Sequence, residues 1–407
     1  MAHLRLRHCE PLFHQLLKYS PIVGLFGHRQ VGKTTFCECQ NGTYETLDQK
    51  KTRLAIRKDP DRFVARFKGK PIFLDECQLE PDLFPALKDY VRIHPNPGKF
   101  VLTGSVRFSS RKAIRESLTG RIATVEILPL VLSELDQRPL PLTVPTLLQM
   151  KHFAPDTVES IPTSKNLKSI QRTFEQYLLQ GGLPKISFTR DARIRNDLIN
   201  DLLGTILDRD LRLVLETSLS LETLRTFTRE IAKNTGNIWN ASQMRRETGL
   251  AFETQKNLLF SLESIYLIRR IPLLGRKGFL VLMEDQFEEY SLSAGQLSGE
   301  TQVFTAFYRN VRAQFNYVSG SQVQYSSYLT PDGARMPLVI QGTSPHSPGI
   351  LGFHFLSDKT PTLRQVRSAT SFLRKFPDAK IIFATQELGP IEILDSRTLI
   401  VPLAALL

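Results

Sequence analysis

Ile22-Val23-Gly24-Leu25-Phe26-Gly27-His28-Arg29-Gln30-Val31-Gly32-Lys33-Thr34-Thr35 is the stretch on which the fold turns. The apolar run Ile22 to Phe26 predicts a buried strand, and Gly27 to Thr34 fits G-x-x-x-x-G-K-[ST]. A helix is predicted to start directly after it. Each part has a chemical reason. Gly27 and Gly32 let the backbone turn tightly, so that successive N–H groups converge on phosphate oxygens. The next helix adds the positive end of its dipole. Lys33 supplies a point charge for β- and γ-phosphates, and the Thr34 hydroxyl is a ligand for Mg²⁺. Gly27, His28, Arg29, Gln30, Val31, Gly32, Lys33, Thr34 and Thr35 are therefore the expected phosphate-binding residues.

Working outward, Pro71-Ile72-Phe73-Leu74-Asp75-Glu76 is an apolar strand ending in two acids. Beside the loop, Asp75 is the expected second support for Mg²⁺, opposite Thr34, and Glu76 the group that polarises an attacking water. Phe100-Val101-Leu102-Thr103-Gly104-Ser105 is a third strand, with Thr103 or Ser105 as candidates to reach a γ-phosphate. Ile122 to Leu128 is a fourth. Polar helical stretches such as Pro81 to Arg92 lie between them, and this alternation predicts an open parallel sheet with helices on both faces.

The chain has 407 residues, 41% hydrophobic and 23% charged, enough for two or three domains and a large core. Wholesale disorder and collagen-like or mucin-like classes are excluded. The net charge of +13 favours polyanionic partners, nucleic acid among them. Four cysteines without partnering His spacing predict buried thiols rather than a zinc site, which suits a cytoplasmic protein. No long apolar run predicts a membrane span. Met1 to Ser20 is amphipathic and reads as an ordinary opening segment, without a signal-peptide core.

Farther along, Asp136 to Ser164 is rich in Pro and Thr and reads as a connection, with a short helix at Thr146 to His152. Leu167 to about Ile271 reads as mostly helical. Within it, Ser242 to Leu250 and Ala251 to Leu262 are two helices punctuated at Gly249, a helix-turn-helix pattern. Arg245, Arg246 and Lys256 are available to phosphates there, but Glu247, Glu253 and Glu263 dilute the charge. From Pro272 a second α/β region begins. Its expected strands are Phe279 to Leu282, Tyr325 to Leu329, Pro337 to Gln341, Ile350 to Leu356 and Ile381 to Ala384, with a helix at Leu363 to Phe376.

These residues resemble the AAA-type predicted ATPases of bacteria and archaea that carry a C-terminal domain of unknown function, often with a restriction-endonuclease-like end. The matching text is Gly27 to Thr35, Phe73 to Gln78, Leu102 to Ser105, Glu116 to Arg121, Leu128 to Leu130, Gly181-Gly182-Leu183-Pro184 and Asp208-Arg209-Asp210. It covers roughly the first 270 residues. The resemblance implies a P-loop ATPase core at 1–135, a connecting segment at 136–166, a helical lid and winged helix at 167–271, and an endonuclease-like α/β domain at 272–407. It implies ATP as substrate, with Lys33, Glu76 and Arg121 as catalytic residues and Thr34 and Asp75 as Mg²⁺ ligands. Arg121 stands where a sensor or arginine finger is expected, and Arg115 is its rival.

The tail departs from the family pattern. Pro337 stands near the expected Asp, and apolar residues occupy Leu351 to Leu356 where Glu and Lys belong. Without those ligands the tail is expected to be a degenerate nuclease fold, a binding module for a protein partner. Asp332 and Asp358 read as turn residues. The leading expectation is Mg²⁺-dependent ATP hydrolysis coupled to movement of the C-terminal half. The alternative is a nucleotide-switched DNA-binding or scaffold protein in which hydrolysis is incidental. An active nuclease is the third reading. The oligomeric state is left open.

Overall fold

The computed structural model describes residues 4–67, 69, 71–107, 118–161, 166–344 and 348–407. Arg115 and the Glu116-Ser117 part of the family text lie outside them. A five-stranded sheet, all parallel, has the order β2-β3-β4-β1-β5. Its strands are β1 (Ile22–Phe26), β2 (Thr43–Thr46), β3 (Ile72–Asp75), β4 (Phe100–Gly104) and β5 (Ile122–Glu126).

The inner strands β1 and β4, with β3, are largely apolar because both of their faces are covered, whereas the edge strands β2 and β5 are only partly buried. Val23, Leu25, Phe73 and Val101 enter one core cluster, shared with Phe13 and Leu16 of the Glu10–Leu17 helix and Phe36 of the Lys33–Glu38 helix. Their alternates Ile22, Ile72, Leu74, Phe100 and Leu102 enter another, against Phe84, Leu87 and Val91 of the Leu83–Ile93 helix. Leu74 is fully buried, so Leu74→Ala should cost about 2–5 kcal/mol.

After further helices, among them Leu167–Gln180 and Ala192–Thr205, come three more, Leu221–Lys233, Ala241–Thr248 and Phe252–Ser264, followed by an antiparallel hairpin of β6 (Ile268–Pro272) and β7 (Phe279–Met283). An isolated antiparallel bridge joins Ile238 to Leu280. Gly249, at φ 73°, ends the second helix in the left-handed conformation that glycine adopts without strain.

The tail sheet has the order β12-β13-β11-β10-β9-β8, where β8 is Val323–Leu329, β9 Arg335–Gly342, β10 Ile350–Leu356, β11 Ala379–Thr385, β12 Glu392–Asp395 and β13 Thr398–Pro402. The Leu363–Lys375 helix crosses between the parallel strands β10 and β11. The Gly299–Asn316 helix packs Val303, Phe304, Phe307 and Val311 under the sheet.

The segment read as a connection is not a loose tether. Val144, Leu147, Leu148, Phe153 and Ile161 are buried in the same cluster as Phe353, Val401 and Leu406 of the tail. Its helix runs Thr143–Gln149. The opening segment is likewise structural, as the site makes plain.

Candidate functional site

Parallel strands deliver their C-terminal ends to one edge, where ligands of such sheets collect. At the end of β1 the chain passes Gly27, where an added Cβ would lie 2.1 Å from Ile127 O. It then turns through left-handed backbone at Gln30 (φ 62°) and Gly32 (φ 95°) before the Lys33–Glu38 helix. Lys33 Nζ folds back and donates to Gly27 O at 3.0 Å and His28 O at 2.8 Å. Burial pulls its ammonium below the usual value, while Glu76 and Asp75 pull the other way.

Asp75 closes the facing side. It accepts from Thr34 Oγ1 at 2.9 Å, and also from the hydroxyls of Tyr44 and Thr103. The β2–β3 and β4 register explains this set, since Thr46 lies opposite Asp75 and Leu74 opposite Leu102. Burial and the Asp75 carboxylate push the Tyr44 phenol up, so it stays a donor at neutral pH. Glu76 sits in left-handed backbone (φ 53°), and its carboxylate accepts from the Gln78 side chain. Burial raises the Glu76 carboxyl, against the pull of Lys33. Gln78 Nε2 also lies 3.5 Å from Ser105 Oγ. The loop, Lys33, Thr34, Asp75 and Glu76 are thus together.

Arg121 is not with them. Ile122 pairs with Ile22 in parallel register, so Arg121 lies at the N-terminal edge of the sheet, opposite the loop. Its guanidinium donates to Thr119 O. Within one chain it stands at the edge away from the loop, so this placement gives no support to a sensor role on the chain's own nucleotide.

Several residues that hold the site were not singled out from sequence. Arg7, in the opening segment, donates to Val31 O of the loop at 2.7 Å, to Leu128 O at 2.5 Å and to Glu134 Oε1 at 3.1 Å. Burial opposes the Arg7 charge, yet Glu134 raises it above the ordinary value. Beside Arg7 a cleft of about 710 Å³ opens onto Gly32 and Thr35, walled by Leu4, Leu6, Phe36, Pro184 and Phe188. Pro184 follows the glycine pair of the family text. Gly182 N donates to Asp285 Oδ2 at 2.7 Å, and a Cβ on Gly182 would lie 2.2 Å from Leu130 O.

The loop is also tied to the C-terminal half. His28 Nε2 lies 3.0 Å from Glu288 Oε1, with both side chains fully buried. Burial disfavours charge on His28, but Glu288 prevails and raises it. Arg29 Nη1 grips both oxygens of Asp210 at 3.0 and 2.9 Å. Glu288 belongs to Glu284-Asp285-Gln286-Phe287-Glu288-Glu289, whose polar side chains are all buried. Glu284 meets Arg312 at 2.6 Å and Arg269 at 3.3 Å, and both arginines also hold Glu126 at the end of β5. Burial works against the Glu284 charge, and Arg312 with Arg269 holds its carboxyl down at about 2. Glu289 pairs with Arg309. The sequence signal was there in principle: a wholly apolar strand, Phe279–Met283, ending in an acidic run.

Among the described residues no group of three His, Cys, Asp or Glu is placed to hold a metal by itself. Cys9, Cys37 and Cys77 are buried thiols outside any disulfide, Cys77 Sγ donating to Thr103 O at 2.9 Å, and Cys39 is exposed. Among the described residues no helix is long and apolar enough to cross a membrane.

Residues 19–136 match a family described as an AAA domain, and residues 171–285 match a domain of unknown function, DUF8612. Uncharacterized proteins of Mycobacterium bovis and Mycobacterium tuberculosis are each 28% identical over 266 residues, covering 63% of this chain and 50% of theirs. The chain spans about half the length of these curated relatives. Among solved structures, a signal transduction ATPase with a tetratricopeptide repeat sensor from Pyrococcus horikoshii overlaps 78% of this chain and 48% of its own, at 12% identity and a TM-score of 0.28. AMPPCP-bound DnaA from Aquifex aeolicus overlaps 63% of this chain and 85% of its own, at 12% identity and a TM-score of 0.24. A DNA polymerase III gamma subunit-related protein from Thermotoga maritima overlaps 63% and 99%, at 13% and 0.24. Scores this low carry no argument, and the fold rests on the strand order and the loop. The N-terminal part of this chain is an AAA-type P-loop domain, joined to a domain of unknown function.

Proposed function

We propose that this protein binds and hydrolyses ATP in a Mg²⁺-dependent manner and relays the state of the loop to its C-terminal half. One observation carries the reading: Thr34 Oγ1 and Asp75 Oδ2 stand 2.9 Å apart beside a lysine whose ammonium covers the loop carbonyls. A hydroxyl and a carboxylate so disposed suit a hard divalent cation. When bound there, Mg²⁺ offsets negative charge on the β- and γ-phosphate oxygens. The loop amides and Lys33 grip the triphosphate, and the apolar cleft at Leu6, Phe36 and Phe188 receives the base. Glu76 accepts the proton of a water as its oxygen bonds to the γ-phosphorus and the bond to the β-phosphate oxygen breaks, releasing ADP and phosphate.

The coupling follows from the loop's own contacts. His28 and Arg29 occupy variable positions of the motif and are held by Glu288 and Asp210. A shift of the loop on nucleotide binding therefore strains contacts to the 206–292 region. The boundaries at 135 and 166 are kept; the three helices and the hairpin at 221–283 are taken as a winged helix, which carries the boundary expected at 271 to about 283 because β6 and β7 pair across it, and the tail beyond is taken as a degenerate nuclease-like module. The bridge at Ile238 and the hairpin after the third helix support the winged-helix reading. The exposed face of the third helix carries Phe252, Phe260 and the pair Lys256–Glu253, which suits a protein partner better than phosphates. The alternative, a nucleotide-switched binding protein, gains support from the Gln78 contact that occupies Glu76.

The test is turnover by the purified chain with ATP and with GTP, with Mg²⁺ and with chelator, and with and without DNA. Lys33→Ala is expected to lose nucleotide binding, and Glu76→Gln to keep binding and lose turnover. Turnover by Lys33→Ala equal to that of the parent sinks the proposal. If Glu76→Gln leaves every binding output intact, the alternative is preferred.

A further inference from the structure

The tail sheet walls a cavity of about 330 Å³ that has no residue in common with the loop site. Arg335 of β9 and His354 of β10 line it, and the start of the Leu363–Lys375 helix closes one side with Thr362 and Arg364. His354 is only 3% exposed, and neither of its ring nitrogens has a hydrogen-bond partner. Its ring is stacked on Phe383 at 5.5 Å and 11°, which fixes its plane. A buried imidazole left wholly unbonded is costly and marks a place where a polar ligand would repay the cost. Burial, and then Arg335, lower His354 to about 4, so the ring is neutral and offers one N–H.

The helix start adds donors. Thr362 Oγ1 accepts from Gln365 N at 3.3 Å, and Gln365 Oε1 accepts from Thr362 N at 2.9 Å. That capping box leaves the Leu363 and Arg364 amides pointing out along the axis at the positive end of the dipole. Arg335 is fixed from behind, where Nη2 donates to Gly236 O at 2.7 Å. The cavity rim also carries exposed carboxylates, Glu300 and Asp358. They repel a run of backbone phosphates but accept hydrogen bonds from hydroxyls.

We propose that this cavity is a second ligand site, taking a phosphomonoester that also bears hydroxyl groups. Its phosphate lies against Arg364, His354 and the first turn of the Leu363–Lys375 helix, and its hydroxyls against Glu300 and Asp358. The volume admits a sugar phosphate or a mononucleotide. The absence of the nuclease carboxylates at Pro337 and Leu351 to Leu356 fits a site that binds without cutting. The proposal is independent of the ATPase reading.

The experiment is calorimetric titration of the full-length chain carrying Lys33→Ala, so that the loop does not compete, with ribose 5-phosphate and with ribose. Ribose 5-phosphate is expected to bind and ribose not to. Arg364→Gln, at an exposed position, is expected to weaken binding at least tenfold with the thermal midpoint unchanged, and His354→Phe to do the same. AMP and a 5′-phosphorylated dinucleotide separate two sources of one chemistry. If both bind, the site accepts a strand end, and if AMP alone binds, it takes a free nucleotide; either supports the proposal. No binding of ribose 5-phosphate at millimolar concentration, equal binding of ribose, or an Arg364→Gln variant that binds as its parent does overturns it, whether or not His354→Phe folds.

Discussion

The buried pair between His28 and Glu288 makes a quantitative test of how the loop is anchored. Their side chains are fully buried and 3.0 Å apart. Stripping one partner from such a pair by truncation costs about 3–5 kcal/mol. Glutamine at either position roughly keeps the volume and removes the charge, leaving a neutral polar contact worth about 1 kcal/mol. A cycle of His28→Gln, Glu288→Gln and the double variant should therefore return a coupling of about 2–4 kcal/mol at about pH 6. The dependence on pH has a definite sign. The folded-state value of His28 is raised above 6.5, because Glu288 outweighs the burial that opposes the charge. A raised basic group stabilises the fold fully below its unfolded value, and that contribution fades as pH rises through the folded one. The coupling should thus shrink as pH rises above about 6.5 and through the raised folded value. Urea unfolding followed through Trp239, the single tryptophan, reports it provided the slopes of the four variants agree. Trp239 stacks on Phe279 at 6.3 Å, within the region that Glu288 adjoins in sequence. A coupling that is flat or grows with pH would mean that His28 is neutral in the fold, and the ion-pair argument fails.

Three further outcomes are expected. Because burial raises the Glu76 carboxyl despite Lys33, kcat/KM for ATP should fall on acidification from a pH above the ordinary 4.5, and a profile flat down to that value contradicts Glu76 as the base. Tyr44→Phe removes one donor from Asp75 but leaves Thr34 and Thr103; kcat should drop about tenfold with nucleotide Kd changed less than about twofold, and an equal loss in both would make Tyr44 a merely structural support. Arg121→Ala should leave turnover of the monomeric protein within about twofold of the parent, since the β1–β5 register holds Arg121 at the far edge; a drop of tenfold or more in that assay contradicts the placement.

What the sequence disclosed follows from how each element is buried. The strands β1, β3 and β4 are covered on both faces and so appear as unbroken apolar runs. The edge strand β2, Thr43-Tyr44-Glu45-Thr46, is only partly buried and has no such run, although it brings Tyr44 to Asp75. The Gly299–Asn316 helix escaped notice for the opposite reason. It is buried nearly all round, with Thr305, Arg309, Asn310, Arg312 and Gln314 inside, so no apolar stripe marks it. The family text that singles out Arg121 does not say which end of β5 it occupies, and the register puts it at the end away from the loop. In a parallel sheet the two ends have different chemistry.

The same limit governs the charges. A phosphate-binding motif names His28 and Arg29 only as positions where any residue serves, yet here both are committed to carboxylates from a region 180 or more residues away in sequence, Asp210 and Glu288. Neither pairing has a local signature, since each depends on how two distant elements pack. Burial makes the pairings consequential: a charge separated from its partner in the interior has no water to replace it. Any displacement of the loop tip must therefore carry the Glu284–Glu289 segment with it or break a buried pair. That segment also anchors Gly182 through Asp285 and β5 through Glu284, Arg269 and Arg312. The loop, the glycine pair that borders the cleft and the edge of the sheet consequently answer to one buried acidic segment, and a change at one of them is felt at the other two.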